Sequence, residues 1–399
     1  MENSEVKKTM MIFYVLSGLT SLGTSFILAT YVMFQRAHNL DYLESNICNF
    51  VFLASMFIFE VPTGAIADVY GRKTSFVISC FLLGTSMFAY GASSSFLSFL
   101  LAETICGLAL TFATGAFEAW AVDRLKQLGS ETTINHLMVR QAQIEKLGAM
   151  CGAALGAWLN NKNIVIPWIA AGSVQIFTGL AALILMKEEG FKPKANSLQE
   201  SHQALKSTVK NSLSQIKQNQ AVGFTVISGA LYNLCLQPTN MQWQPYFSSF
   251  LGANTTPLGF IFAAIMIAVM IGAEFANKWT SIWKSSPNAM IAAKCFIGLS
   301  IITTSSLTKF PAILSFFLLH EVIRGIYWPI KDAYIHNNIT SEERATTISF
   351  ESMVRQIGGM IGLLASGLAA KYTSIPLTWG LSGLALLISA LWLWKRNKT

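Results

Sequence analysis

Four side chains of this chain lie where an ionised group is out of place: Glu103, Glu118, Glu321 and Arg324 each fall inside a long apolar run. A charge at the centre of a membrane helix costs about 2.5–3.5 kcal/mol on insertion scales, so it is kept where it moves a proton, receives an ion or pairs with a partner. Spacing sorts these residues into faces. Glu103, Gly107, Thr111, Thr114 and Glu118 follow at steps of four, four, three and four, which predicts one polar stripe on a helix. Asn233, Gln237, Asn240 and Gln244 form a second stripe, beside Tyr232, Trp243 and the kinking Pro238 and Pro245. Glu321, Arg324, Trp328 and Lys331 form a third, and Ser17, Thr20, Ser21, Thr24 and Ser25 a fourth without charge. Such faces suit a small organic solute. Amides both donate and accept, aromatic rings stack, and Arg324 can receive a carboxylate or phosphate or pair with Glu321 one turn away. Glu103, Tyr232, Asn233, Gln237, Asn240, Trp243, Gln244, Arg324 and Trp328 are therefore the candidate substrate contacts, and Glu118 and Glu321 the candidate proton carriers. The same stripes would serve equally as glue between buried helices.

Faces of this kind need long helices in lipid to carry them. Of 399 residues, 53% are apolar and 12% charged, against about 25% charged in soluble chains. Apolar runs of about 20 residues recur, each enough to cross a hydrocarbon core of roughly 30 Å. They predict twelve spans: 10–34, 43–66, 74–94, 96–123, 134–159, 164–186, 219–250, 255–278, 287–307, 310–338, 344–370 and 374–395. The first run continues from Met10 to Met33, too long for a signal peptide. Between the sixth and seventh spans, 187–218 is polar and reads as a cytoplasmic linker; Leu198, Leu205, Val209, Leu213 and Ile216 recur there at helical spacing, as in a helix lying on the membrane surface. The expected fold is an all-α integral membrane protein of two six-helix bundles, 1–186 and 219–399. A shift of 210 positions lays Leu147-Gly-Ala-Met-Cys-Gly152 over Ile357-Gly-Gly-Met-Ile-Gly362, and Gly115 over Gly325, as two related bundles require.

The net charge of +8 reports topology, because the basic residues crowd the loops on one side. Both termini are expected in the cytoplasm of a cell whose inner membrane the chain crosses, with lipid rather than nucleic acid around it, as a monomer. All six cysteines fall in apolar runs and read as small buried hydrophobes; no Cys/His spacing for a metal exists, and no cofactor is expected. The sequence holds no GxxxxGK[ST] loop for a nucleotide-driven pump and no nucleophile–base spacing for a membrane enzyme.

One polar turn between apolar runs is more specific: Gly64-Ala-Ile-Ala-Asp68-Val-Tyr-Gly71-Arg72-Lys73. It resembles the G-x-x-x-D-x-x-G-R-K/R signature between the second and third helices of the major facilitator superfamily. The segments Phe59-Glu60-Val-Pro62-Thr-Gly64 and Gly115-Ala-Phe-Glu118-Ala-Trp-Ala-Val-Asp123-Arg-Leu-Lys126 look like a bacterial branch of small-solute and drug carriers. The resemblance implies a central cavity and alternating access. It further implies a conformational latch of Asp68, Gly71, Arg72, Lys73 and Asp123, with Asp68 facing the start of the eleventh helix at Arg344. Gly148, Gly152 and Gly156, every fourth residue, allow close packing on a neighbouring helix, but the Gly-Pro pair of the exporters' antiporter signature is missing, as is an acidic residue on the first helix. The expected function is proton-coupled export of small amphiphilic compounds; the alternative is proton-driven import of a small anionic or metal-chelating metabolite.

Overall fold

The computed structural model describes residues 2–188, 219–340 and 344–398, so that most of the 187–218 linker, with its Leu198–Ile216 surface-helix expectation, lies outside the described residues. Described in chain order, the helices are α1 (Glu2–Ser25), α2 (Tyr31–Ala37), α3 (Tyr42–Tyr70), α4 (Arg72–Gly91), α5 (Phe96–Ala113), α6 (Ala116–Gln127), α7 (Ile134–Asn160), α8 (Ile166–Leu185), α9 (Gln220–Leu251), α10 (Thr256–Trp283), α11 (Ser286–Ser306), α12 (Phe310–Asn337), α13 (Arg344–Tyr372) and α14 (Ile375–Lys398). Their ends follow local chemistry. Ser95 and Ser98 close a capping box on α5, Ser285 accepts from Asn288 N–H to cap α11, and prolines open α8, α11 and α12, where an amide would lack a partner anyway.

Among the described residues, nine helical segments are long and apolar enough to cross a membrane, and the chain is an all-helical integral membrane protein. The other three expected spans, 10–34, 134–159 and 219–250, correspond to α1–α2, α7 and α9. Two expected spans are interrupted. The first leaves the helix after Ser25 and resumes at Tyr31, and the fourth breaks at Gly115, whose φ of 74° suits glycine. The Glu103–Glu118 stripe is therefore not one continuous helical face. Gly115 is a break while Gly325, its repeat counterpart, is a close helix crossing against Val269 O.

The described residues form two compact units. The first gathers 2–38, 51–188 and Leu251–Ala263. Its α1 and α7 meet through glycines: a Cβ at Gly148 would come 3.0 Å from Gly18 O, one at Gly152 2.5 Å from Leu22 O, and one at Gly156 would overlap Phe26 O. Backbone lies on backbone along this seam, which no larger side chain permits. Phe13, Phe76, Phe117 and Trp120 fill the adjoining core, Phe76 stacked on Phe117 at 4.1 Å. Cys151 on α7, expected to be buried, is exposed. A spanning helix has a face that meets lipid, and a small apolar residue suits it.

The second unit gathers Asn39–Phe50, 219–250 and 264–398. The seam recurs: Gly358 and Gly362 of α13 press on Ala230 O and Leu234 O of α9. α10 crosses α12 where Gly272 abuts Val322 O, and α11 meets α14 at Gly298 and Gly383. The start of α3 is fastened to α13 by Asn46 Nδ2, which donates to Leu363 O and Ser366 Oγ at 2.8 Å each, and by a 2.7 Å ion pair from Lys371 to Asp41. Burial works to raise the Asp41 pKa, but the Lys371 ammonium and the N–H groups of Glu44 and Leu43 outweigh it and hold the carboxyl below its ordinary value.

Candidate functional site

In the second unit, α12 and α9 bring part of the expected site together. Arg324 donates through Nη1 to Asn240 Oδ1 at 2.8 Å and, more loosely, to Glu321 Oε1 at 3.4 Å; its side chain is 29% exposed. Glu321 is buried, with His320 Nε2 3.5 Å from Oε1 and no hydrogen-bond partner for Oε2 among the described residues. His320 is packed rather than poised, its Nδ1 2.7 Å from Phe317 O. Tyr232 lies flat on Tyr327 at 4.0 Å and against the edge of Trp328 at 5.4 Å, with no hydrogen-bond partner for its hydroxyl among the described residues. The remaining α9 residues do other things. Asn233 donates to Arg355 O at 2.9 Å and Gln237 to Asn233 Oδ1 at 3.4 Å, which places both amides against α13, and Trp243 and Gln244 are buried further along α9.

Toward the end of α12, Trp328 has two cations near its ring: Lys331 Nζ lies 4.9 Å and the Arg355 guanidinium 5.4 Å from the ring centre. These cations share Glu351, at 2.9 Å from Lys331 and 3.6 Å from Arg355, and Lys331 also reaches Asp332 at 3.0 Å. Pro329, within α12, frees the carbonyl one turn back and lets the helix adapt around this cluster. A surface cavity of about 450 Å³ near the same end is bordered by Asn277, Thr280, Lys284 and Pro329. Sequence reasoning passed over Lys294 on α11: it is fully buried, and Nζ donates to Ser228 O at 2.8 Å. A lone lysine inside the run Ala292-Ala-Lys-Cys295 was its signal.

In the first unit, Glu103 is 4% exposed and accepts a 2.5 Å hydrogen bond from Tyr31. Gln35 Nε2 donates to Tyr90 at 2.6 Å, and Tyr90 stacks on Trp168 at 4.1 Å, so that the carboxyl ends in an aromatic enclosure. Tyr31 and Gln35, four apart on α2, were legible as one face but were not paired with Glu103. Glu118 differs: it is exposed, and Gln141 donates to it at 3.5 Å and to Glu145 at 2.9 Å.

The charged turn between α3 and α4 is tightly built. Gly71 is the N-cap of α4 with φ of 95°. Arg72 Nε pairs with Asp123 at 3.1 Å. Glu188, unforeseen, holds the helix start: Arg72 N–H donates to Oε1 at 2.6 Å and Lys73 N–H to Oε2 at 3.2 Å. A carboxylate is favoured at the positive end of a helix. Trp120 Nε1 donates to Lys187 O at 2.8 Å and secures the same segment. Asp68 is half-buried with no ion-pair partner among the described residues, and Arg344, in the other unit, is exposed.

Two units of spanning helices with matching glycine seams, buried charges and a charged turn after α3 define a multi-pass membrane carrier. The chain belongs to the Major Facilitator Superfamily, whose family model matches residues 13–329 and 239–399. An uncharacterized MFS-type transporter of Bacillus subtilis (strain 168), YxaM, is 24% identical over 386 residues, which cover 95% of this chain and 92% of the relative. A molybdate-anion transporter of Danio rerio is 22% identical over 367 residues, 84% of this chain and 74% of its own length. The solved nucleoside transporter NupG superposes with a TM-score of 0.78 at 14% identity, covering 98% of this chain and 99% of the other, a likeness of fold.

Proposed function

We propose that the chain is a proton-coupled secondary transporter that binds a small organic anion on the inner face of its second unit. The observation that carries this reading is the Arg324 guanidinium, part-exposed beside Trp328 and hydrogen-bonded to the neutral Asn240 at 2.8 Å, with its carboxylate neighbour Glu321 only at 3.4 Å. A guanidinium with donors to spare is a fork for carboxylate or phosphate oxygens. The Danio rerio relative, named for an anion, agrees with this reading. Tyr232, Asn240 and Trp328 complete the proposed contacts. Bundles 1–186 and 219–399 would rock about the site, with the Asp68, Arg72, Asp123 and Arg344 latch at their cytoplasmic ends and the chain working as a monomer in the inner membrane.

A second reading, export of amphiphilic compounds, draws on the Tyr232, Tyr327 and Trp328 aromatic cluster. Arg324→Ala decides between them. A lost charge-assisted contact of about 1.5–3 kcal/mol weakens small carboxylates by roughly 10- to 150-fold while leaving lipophilic cations unaffected. Unchanged carboxylate affinity in purified protein would return Arg324 to a structural role and leave the export reading standing.

A further inference from the structure

Lys294 is the one buried lysine in the second unit, among the described residues, with no carboxylate within 4 Å. It projects from α11 into the seam between α9 and α12. Nζ meets a single acceptor, the carbonyl of Ser228, and lies 5.8 Å from the Tyr327 ring centre. Ser228 Oγ and Tyr327 OH are 2.9 Å apart, and Tyr327 in turn stacks on Tyr232, whose ring borders Trp328. The titratable groups around Nζ are neutral thiols and phenols: Cys295 on its own helix, Cys235 on α9 and Tyr327 on α12. Glu351 of α13 approaches α9 at Gly229, where a Cβ would lie 2.7 Å from its Oε1. Glu351 already serves Lys331 and Arg355.

Counted around this face, Arg324, Lys331, Arg355 and Lys294 oppose Glu321, Glu351 and the exposed Asp332. One negative charge is missing. An ammonium with one of its three donors satisfied and no counter-ion is the costliest member of that set. An anion bound beside Arg324 and Trp328 would supply the missing charge through a thin aromatic wall.

We propose that Lys294 carries the coupling proton: its amine takes a proton from water as an anion binds to the Arg324, Trp328 and Arg355 face, and returns it when the anion leaves. One monoanion and one proton then travel together, with no change of net charge and with neither Glu118 nor Glu321 required to titrate. The ligand class is a small monoanion with a flat apolar body, matched to an aromatic ring with two cations close by. This inference rests on the anion reading above.

Titration calorimetry with benzoate, in buffers of differing ionisation enthalpy, separates the two, because affinity and protons taken up come from the same data. Wild type is expected to take up about one proton per benzoate. Lys294→Met should bind benzoate with uptake near zero, and Lys294→Arg, which keeps a permanent charge and guards against a misfolded methionine variant, should likewise show none. Benzoate binding by wild type without proton uptake, or uptake that survives in Lys294→Arg, overturns the assignment and spares the anion site. Absence of benzoate binding by wild type overturns both.

Discussion

Glu188→Ala tests whether a residue 116 positions away caps the signature turn. The first amides of a helix have no partners within it. In α4, Arg72 and Lys73 give theirs to the Glu188 carboxylate, at 2.6 and 3.2 Å. Loss of a helix cap costs about 0.5–2 kcal/mol, and loss of a carboxylate at the positive helix end a further 0.3–1. Glu188 is half-buried, which places the sum at about 1–2 kcal/mol, a factor of roughly 5–30 in the opening equilibrium. Hydrogen exchange in nanodiscs should therefore speed up by that factor at the Arg72 and Lys73 amides, while Ser75, whose N–H bonds to Gly71 O at 3.2 Å, changes less. Gly71→Ala approaches the same contact from the other side. It puts a side chain at φ of 95°, a strain of about 1–3 kcal/mol, and sets Cβ 2.5 Å from Glu188 Oε2, so the carboxylate must leave. In the double variant the collision is gone, and the two effects should fall short of additivity by the shared 1–2 kcal/mol. Unchanged exchange in Glu188→Ala, or strict additivity in the pair, would refute the cap.

Two further outcomes follow from the second unit. The Asp41–Lys371 pair has a depressed carboxyl, so its contribution is fully present above the ordinary Asp value of about 3.9 and fades as pH falls through the lower folded value. The melting difference between wild type and Asp41→Asn should be constant from pH 5 to 7 and shrink on acidification; a difference that grows toward acid would contradict the assigned sign. Gly272→Ala drives a methyl group into Val322 O at the α10–α12 crossing, and overpacking of about 1–3 kcal/mol should lower the melting temperature in detergent. An unshifted melt would mean that the two helices separate freely there.

What could be read from the chain alone was local. The Gly71-Arg72-Lys73 turn and the Gly148, Gly152 and Gly156 row announce themselves within ten residues, and both are built as their spacing implies. Gly115 stood in plain sight, but a periodicity of three and four carries the eye through a glycine whose positive φ ends the helix. Contacts over long separations were hidden. Nothing near Arg72 points to Glu188 and nothing near Glu103 to Tyr31, while Lys294 shows only as a lysine inside an apolar run, its partners hidden until three helices close around it. Asn233 and Gln237 show the complementary limit: an amide stripe looks the same in sequence whether it faces a solute or a neighbouring helix, and α13 claims both.

The glycine seams make girders. α1 with α7, and α9 with α13, touch backbone to backbone at their glycines over successive turns. Interiors packed this closely transmit displacement without slack. Spectroscopic probes placed on the two members of one girder would trace the same arc and report nothing of the cycle; probes on different girders are the ones that can measure it.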